Sequence, residues 1–213
     1  PNFKIFLEKT PYIDKIVVGE GEILFLKWLQ NQLPQEQKVY TLNDIYRETL
    51  DLSTVEMPDF SDFDPHYYPH LSFYTSRSCP YQCSFCSETL QWGNYRKMPV
   101  QRIVDGLIRL SQEYHVPLFL LGDSLLNPIA TELAEELLKS DVSIYWDGYL
   151  RADKPVCDIE RTLLWRRDGF YRARLGIESG SQRILDAMNK KITISQIKNA
   201  LYSLASAGIK TTT

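Results

Sequence analysis

Cys79-Pro80-Tyr81-Gln82-Cys83-Ser84-Phe85-Cys86 places three of the chain's four cysteines within eight residues, as Cys-x-x-x-Cys-x-x-Cys. Cysteine is kept more often for its reactivity than for its packing. Three thiolates at this spacing can curl around one inorganic centre. They can hold three irons of a four-iron cluster and leave the fourth iron without a protein ligand. Such an iron can bind and reduce a small molecule instead of only relaying electrons. The same residues admit two plainer readings, a structural zinc site and three unrelated core thiols. A structural zinc wants four protein ligands. The nearest further candidates are His66 and His70, in a Pro-rich segment just upstream.

Working outward from the loop, the chain reads as alternating strands and helices. Leu71 to Ser76 alternates as a strand and runs directly into the cysteines. Pro99 opens a helix with Val100, Ile103, Val104, Leu107 and Ile108 on one face. Pro117 to Leu121 is an apolar strand that ends in Gly122-Asp123-Ser124. Ile129 to Leu138 is an amphipathic helix with Leu133, Ala134, Leu137 and Leu138 inward. Val142 to Tyr149 is a strand that ends at Leu150-Arg151-Ala152-Asp153. Asp158 N-caps a helix that stops near Gly169. Arg172 to Ile177 is the next strand, ending in Glu178-Ser179-Gly180-Ser181. Thr193 and Gln196 form a capping box for a helix that buries Ile194, Ile197, Ala200, Leu201 and Leu204, with Gly208 at its C-terminal end. Five strands alternating with four helices imply an α/β fold with a parallel sheet. The unusual polar residues all follow strands, where barrel chemistry sits.

Upstream, Lys15-Ile16-Val17-Val18 reads as a short buried strand, Gly19-Glu20-Gly21-Glu22 as a turn, and Ile23 to Leu29 as a helix. Such turns line ligand crevices at strand C-termini, and equally serve packing. Residues 34–70 read as a connector punctuated by Pro34, Pro58, Pro65 and Pro69. Thr41 to Leu52 has both helical and strand potential, and Phe60, Phe63, Tyr67 and Tyr68 suit packing along a domain surface. The expected organisation is therefore 1–33, a linker over 34–70, and a core over 71–213.

Composition is ordinary for a globular chain of 213 residues, 44% hydrophobic and 24% charged. A net charge of −3 and a pI near 5.7 give no basic field, so no nucleic-acid partner is expected. No apolar run approaches the roughly 20 residues of a membrane span, and no stretch with a basic start and an apolar centre reads as a signal peptide. The clustered cysteines suit a reducing cytoplasm or a metal site better than a disulfide framework. The start at Pro1 and the stop inside a strand-like Ile209 to Thr213 lead us to expect a piece of a longer protein.

Two stretches together carry a resemblance. Cys79, Cys83 and Cys86, with Phe85 just before the last cysteine, resemble the cluster loop of the radical S-adenosylmethionine (radical SAM) superfamily. Leu175-Gly176-Ile177-Glu178-Ser179-Gly180-Ser181, followed by a short helix ending in Met188-Asn189-Lys190, resembles the fourth strand of its cobalamin-associated members. The resemblance implies a partial (β/α)6 barrel of TIM type, incomplete here. It implies a [4Fe-4S] cluster on the three cysteines that cleaves S-adenosylmethionine to a 5′-deoxyadenosyl radical. Phe85 is expected near the adenine, and Glu178 with Ser179 at the ribose or amino group. Asp123 replaces the usual Gly-Gly-Glu pattern, and is expected to contact the cofactor or substrate, or merely to cap the next segment. Arg151 is expected to pair with the methionine carboxylate, or else with Asp153.

Arg77 fits the family, whereas Ser78 stands where glycine is common. Trp92, Gly93, Tyr95 and Arg96 resemble the post-cluster wall, with Tyr95 also a candidate for substrate contact. Cys157 starts a helix whose dipole could lower its pKa, although a structural thiol is the simpler role.

Val17 to Glu22 resembles the last strand and turn of the Rossmann-like cobalamin-binding domain that often precedes a radical SAM domain. Gly19, Glu20 and Gly21 are then possible cobalamin contacts. The Asp-x-His-x-x-Gly cobalamin signature is absent, and Asp64-Pro65-His66 only mimics its start. The implied function is cobalamin-dependent C-methylation of a small-molecule or peptide substrate, with an electron donor such as flavodoxin or ferredoxin. Rearrangement, cyclisation, oxidation or sulfur insertion without methyl transfer is the competing enzyme reading. A non-enzymatic metal-cluster scaffold or sensor is the third.

Overall fold

The computed structural model describes residues 3–213. The chain divides into two compact units, one running to Asp51 and including 90–93, the other formed by 52–89 and 94–213.

The smaller unit begins with helix α1 (Phe3–Lys9), strand β1 (Ile16–Val18) and helix α2 (Glu22–Leu29). Strand β2 (Val39–Thr41) lies parallel to β1, and a 3-10 turn follows over Leu42–Ile45. Leu24, Leu33, Tyr40 and Ile45 make its core. The sequence reading placed 34–70 wholly in a linker. The structure instead makes Val39–Thr41 part of this sheet. Tyr40 is the reason: it is buried and its hydroxyl donates to the Pro34 carbonyl at 2.6 Å. Three residues are too few for a periodicity to reveal a strand.

In the larger unit, strand β3 (Leu71–Phe73) leads to strand β4 (Ser76–Arg77) and the cysteine loop. Helix α3 (Glu88–Trp92), whose residues from 90 on belong to the smaller unit, and strand β5 (Arg96–Lys97) follow, and β5 pairs antiparallel with β4. Then come helix α4 (Val100–Tyr114), strand β6 (Leu118–Leu121), helix α5 (Ala130–Leu137) and strand β7 (Tyr145–Arg151). Helix α6 (Ile159–Asp168), strand β8 (Phe170–Gly176), helices α7 (Gln182–Ala187) and α8 (Ile194–Ser206), and strand β9 (Lys210–Thr212) complete it.

The main sheet runs β3-β6-β7-β8-β9, all parallel and in chain order. Strand order without a reversal distinguishes a barrel-type winding from a doubly wound sheet. Helices α4, α5, α6 and α8 pack each on the next, so they form one layer on one face. Phe119, Leu121, Trp146, Leu150, Ala173 and Leu175 point into that layer and are buried. They meet Ile103, Leu107, Leu133, Trp165 and Leu204 from the helices. Each such side chain contributes about 1.5–3 kcal/mol when fully removed from water. No described helix is long and apolar enough to cross a membrane.

The expected caps are present. The Asp158 carboxylate accepts from the backbone of Glu160 and Arg161, Gly169 ends α6 at φ +110°, and Thr193 with Gln196 closes a capping box. Two expectations change. The strand expected over Leu71 to Ser76 breaks after Phe73, because the backbone at Thr75 and Ser76 turns to donate to Asp123. Leu138, expected inward, is 39% exposed just beyond the end of α5.

Candidate active site

The cysteine loop hangs from the C-terminal end of β3, through Ser78 at φ +70°. That left-handed conformation is the one glycine favours, so Ser78 bears the strain of a Cβ there. Asp123, at the end of the neighbouring β6, fixes the approach to the loop. It is fully buried and accepts from the backbone and hydroxyl of both Thr75 and Ser76. Burial pushes its carboxyl up to about 6 against the pull of those donors. The sequence allowed Asp123 a cofactor contact, a substrate contact or a capping role, and the structure gives it these local partners. Its oxygens are turned inward and already used, and its work is to hold the strand that carries Cys79.

From the other side, the turn after α7 docks on the loop. The Asn189 side chain donates to the Gln82 carbonyl at 2.7 Å, and the Ser84 backbone donates to the Met188 carbonyl at 2.9 Å. Residues a hundred positions apart are thus tied by backbone-directed bonds. Lys190, 7% exposed, donates to Glu178 Oε1 at 2.9 Å, and its Nζ lies 5.8 Å from the centre of the Phe85 ring. Glu178 sits at φ +61°, Asn189 at +51° and Lys191 at +53°. Backbone strain of this kind costs of order 1–3 kcal/mol per residue and persists where the surroundings impose it. The family-like Met188-Asn189-Lys190 ending was visible in the sequence, but not that it grips the cysteine loop. Asn189→Ala is expected to cost about 1–2 kcal/mol and to reduce the iron retained after reconstitution. Thermal unfolding and iron analysis check the two effects together.

Arg151 closes the third side. It is 4% exposed, its Nη1 lies 3.9 Å from Cys83 Sγ, and its guanidinium stacks 3.9 Å from the centre of the Tyr81 ring. Nε and Nη2 are buried with no hydrogen-bond partner among the described residues. Leaving buried donors unmade costs about 1–3 kcal/mol, more for a charged group, so these two nitrogens retain the capacity to bind an acceptor. Arg151 forms no ion pair with Asp153, the alternative the sequence left open. Asp153 instead accepts from Tyr81 and Asn127, and Asn127 clamps the Arg151 backbone through both its amide atoms. Sequence reasoning missed Tyr81 and Asn127. A cavity of about 460 Å³ opens beside them, lined by Tyr81, Asn127, Arg151, Asp153, Lys154 and Lys191.

The three loop thiols are free and half-buried. Burial pushes the Cys79 thiol up, and the charges of Cys83 and Cys86 add to that. A metal's positive charge reverses such a preference by favouring thiolate. Of the two histidines offered to a zinc, His66 is exposed and pairs with Asp64. Among the described residues no three His, Cys, Asp or Glu side chains converge on a single ion. Thiols that each bind a different iron of one cluster need a wider spread than ligands of one ion, so the donor set fits the cluster better than zinc. Phe85 is 54% exposed and free to meet a planar ligand. Ser179 is tied into its own turn, accepting from the Ser181 backbone at 3.1 Å.

Tyr95 leads into β5, and burial pushes its phenol up to about 12. Cys157 shows no sign of the dipole-lowered pKa that a helix start could give. Burial raises its pKa, the nearby Asp153 raises it further, and its Sγ donates to the Gln196 carbonyl at 3.3 Å. That is a structural thiol. In the smaller unit, Gly19 has φ +92° with Leu42 side-chain atoms 3.6 Å from where a Cβ would sit, and Glu20 is 2% exposed.

Residues 73–213 match the model of the Radical SAM superfamily. The anaerobic magnesium-protoporphyrin IX monomethyl ester cyclase of Rubrivivax gelatinosus is 29% identical over 96% of this chain and 41% of its own length. The cytidylyl-2-hydroxyethylphosphonate methyltransferase of Streptomyces wedmorensis is 26% identical over 85% of this chain and 43% of its own. Among solved structures, the cobalamin-dependent S-adenosylmethionine radical enzyme OxsB, with aqua-cobalamin and S-adenosylmethionine bound, shares the fold. Its TM-score is 0.76 at 21% identity, covering 99% of this chain and 34% of that one. The chain spans about two-fifths of the length of these curated relatives.

Proposed function

The chain belongs to the Radical SAM superfamily, and from that premise we propose that Cys79, Cys83 and Cys86 hold a [4Fe-4S] cluster with S-adenosylmethionine bound against it. Bound there, the pair supplies a one-electron cleavage that delivers a carbon radical to the substrate. The observation that carries the reading is Arg151: a buried guanidinium beside Cys83 with two unused donors. Its planar fork suits the carboxylate of an amino acid. Glu178, steadied by Lys190, offers a carboxylate to a ribose hydroxyl or an ammonium. Phe85 offers an apolar ring to an adenine. Asp123 and Asn189 keep the cysteine loop in place from opposite sides.

The reaction we favour is cobalamin-dependent methylation of carbon. The methyltransferase relative and the cobalamin-bound fold neighbour support it. In this reading the smaller unit is the end of a cobalamin-binding domain, with Gly19, Glu20 and Gly21 at the corrinoid. Residues up to about 70 lead to the barrel, and flavodoxin or ferredoxin supplies the electron. The cyclase relative, similar along 96% of this chain, supports ring formation as the second reading.

Anaerobic reconstitution of the full-length protein, followed by turnover with methyl-labelled S-adenosylmethionine, separates these. Bound corrinoid and label in the product are expected. Cleavage of S-adenosylmethionine without label transfer would favour the cyclase reading. Bound zinc with no cleavage would overturn both and leave a metal scaffold.

A further inference from the structure

The face of the main sheet opposite the helices is not apolar. Register pairing puts Tyr145, Asp147, Tyr149 and Arg151 of β7 on that face, beside Arg172, Arg174 and Gly176 of β8. Arg151 shows where the face leads, since it ends beside Cys83. Two turns of the pleat below it, Asp147 is 1% exposed and carries an unusual load. Its Oδ2 accepts from Arg172, from Arg174 Nη2 at 3.1 Å and from the Tyr171 hydroxyl at 3.3 Å. Two guanidinium charges against one carboxylate leave the cluster one positive charge in excess. Arg174 Nε is buried without a partner, while the side chain as a whole remains 26% exposed. The Tyr149 ring lies 5.5 Å from the Arg174 guanidinium and is 43% exposed, and Tyr145 is 46% exposed. Asp147 thus holds two arginines upright without neutralising them, between exposed aromatic rings.

We propose that this face selects a substrate bearing an oxyanion, a carboxylate or a phosphate, on a planar apolar body, and that Arg174 receives the oxyanion. Charge complementarity is the argument. A partly desolvated guanidinium whose charge its one carboxylate partner shares with a second arginine, and whose Nε has no partner among the described residues, favours an oxyanion above any neutral group, and tyrosine faces favour a flat ring. Arg172, which gives Asp147 its closest bonds, is the positioning residue, and Arg174 the recognising one. The inference rests on the radical SAM reading of the neighbouring cysteine loop, because it takes this face to be where the substrate lies.

The test uses three matched probes on the cluster-loaded, full-length protein: 1-naphthoate, its methyl ester and 1-naphthyl phosphate, with affinities from calorimetry. The acid is expected to bind at least about tenfold more tightly than the ester, a difference of about 1.4 kcal/mol. Arg174→Gln is expected to erase that preference, and Arg174→Lys to keep part of it because charge remains without the fork. Comparing the acid with the phosphate shows which oxyanion the site prefers. Equal affinity for acid and ester in the native protein would overturn the proposal, and would mean that an acidic side chain elsewhere in the polypeptide already occupies Arg174. A preference that survives Arg174→Gln would also overturn it. If Arg174→Gln does not fold, the native acid-to-ester ratio and its value in Arg174→Lys decide. Cleavage of S-adenosylmethionine by the native protein is measured alongside. Its failure would overturn the functional reading, whereas loss of the acid preference with cleavage intact would overturn this inference alone.

Discussion

Cys83→Ala is expected to abolish the cluster: reconstituted protein should hold close to no iron or sulfide, and S-adenosylmethionine cleavage should fall below detection. The effect is large because the loop offers three thiols to a four-iron centre, and the fourth iron is the one that must stay open. Two remaining thiolates would leave two irons without protein ligands. Cys83 Sγ also lies 3.9 Å from Arg151 Nη1, so its loss removes the sulfur that the guanidinium faces. Cys157→Ala is the matched control. Its thiol donates to the Gln196 carbonyl, and iron content should be unchanged. Iron, sulfide and charge-transfer absorbance measured on both variants decide the point. Full iron in Cys83→Ala, or loss of iron in Cys157→Ala, would sink the ligand assignment.

That contrast also shows what the sequence could and could not reveal. The spacing of Cys79, Cys83 and Cys86 was legible because covalent neighbours must share a loop. The strands and helices were legible because the core face repeats along β6, β7 and α4, and because Asp158, Gly169 and Thr193 act on backbone groups close by in the chain. Asp123 was not legible. Whether a carboxylate after a strand points toward a ligand or toward Thr75 depends on contacts nearly fifty residues away. The grip of Asn189 on Gln82 spans 107 positions, and nothing local records it. The Asp147 cluster was hidden for a different reason. Alternation puts Arg172 and Arg174 on one face of β8, but the register that sets Asp147 of β7 opposite Arg172 is written in neither strand alone. Cys157 shows the limit of local reasoning from the other side: its helix start is real, but burial and Asp153 outweigh the dipole.

Gly169→Ala is expected to be the most destabilising single-atom change in the fold. The residue ends α6 and begins the turn into β8, where its carbonyl accepts from the Trp146 backbone at 3.1 Å. At φ +110° an L side chain is strained, at roughly 1–3 kcal/mol. The added Cβ would also lie 2.0 Å from the Ile144 carbonyl oxygen. A backbone atom cannot swing aside as a side chain can, so β7 would have to shift against its neighbour. Such overpacking costs about 1–3 kcal/mol more, and here it strikes the packing of Trp146 on Phe170, whose rings are 4.5 Å apart. The sum, about 2–6 kcal/mol, is a large part of the roughly 5–15 kcal/mol that holds a domain folded. Gly208→Ala separates the two causes. Gly208 has φ +72° but nothing within 4 Å of a Cβ, so only the conformational cost of about 1 kcal/mol applies. In urea, the tryptophan-fluorescence midpoint should drop far more for Gly169→Ala than for Gly208→Ala. Equal shifts would mean that β7 yields freely at Ile144, and that the strand bearing Asp147 and Arg151 is less firmly fixed than its packing implies.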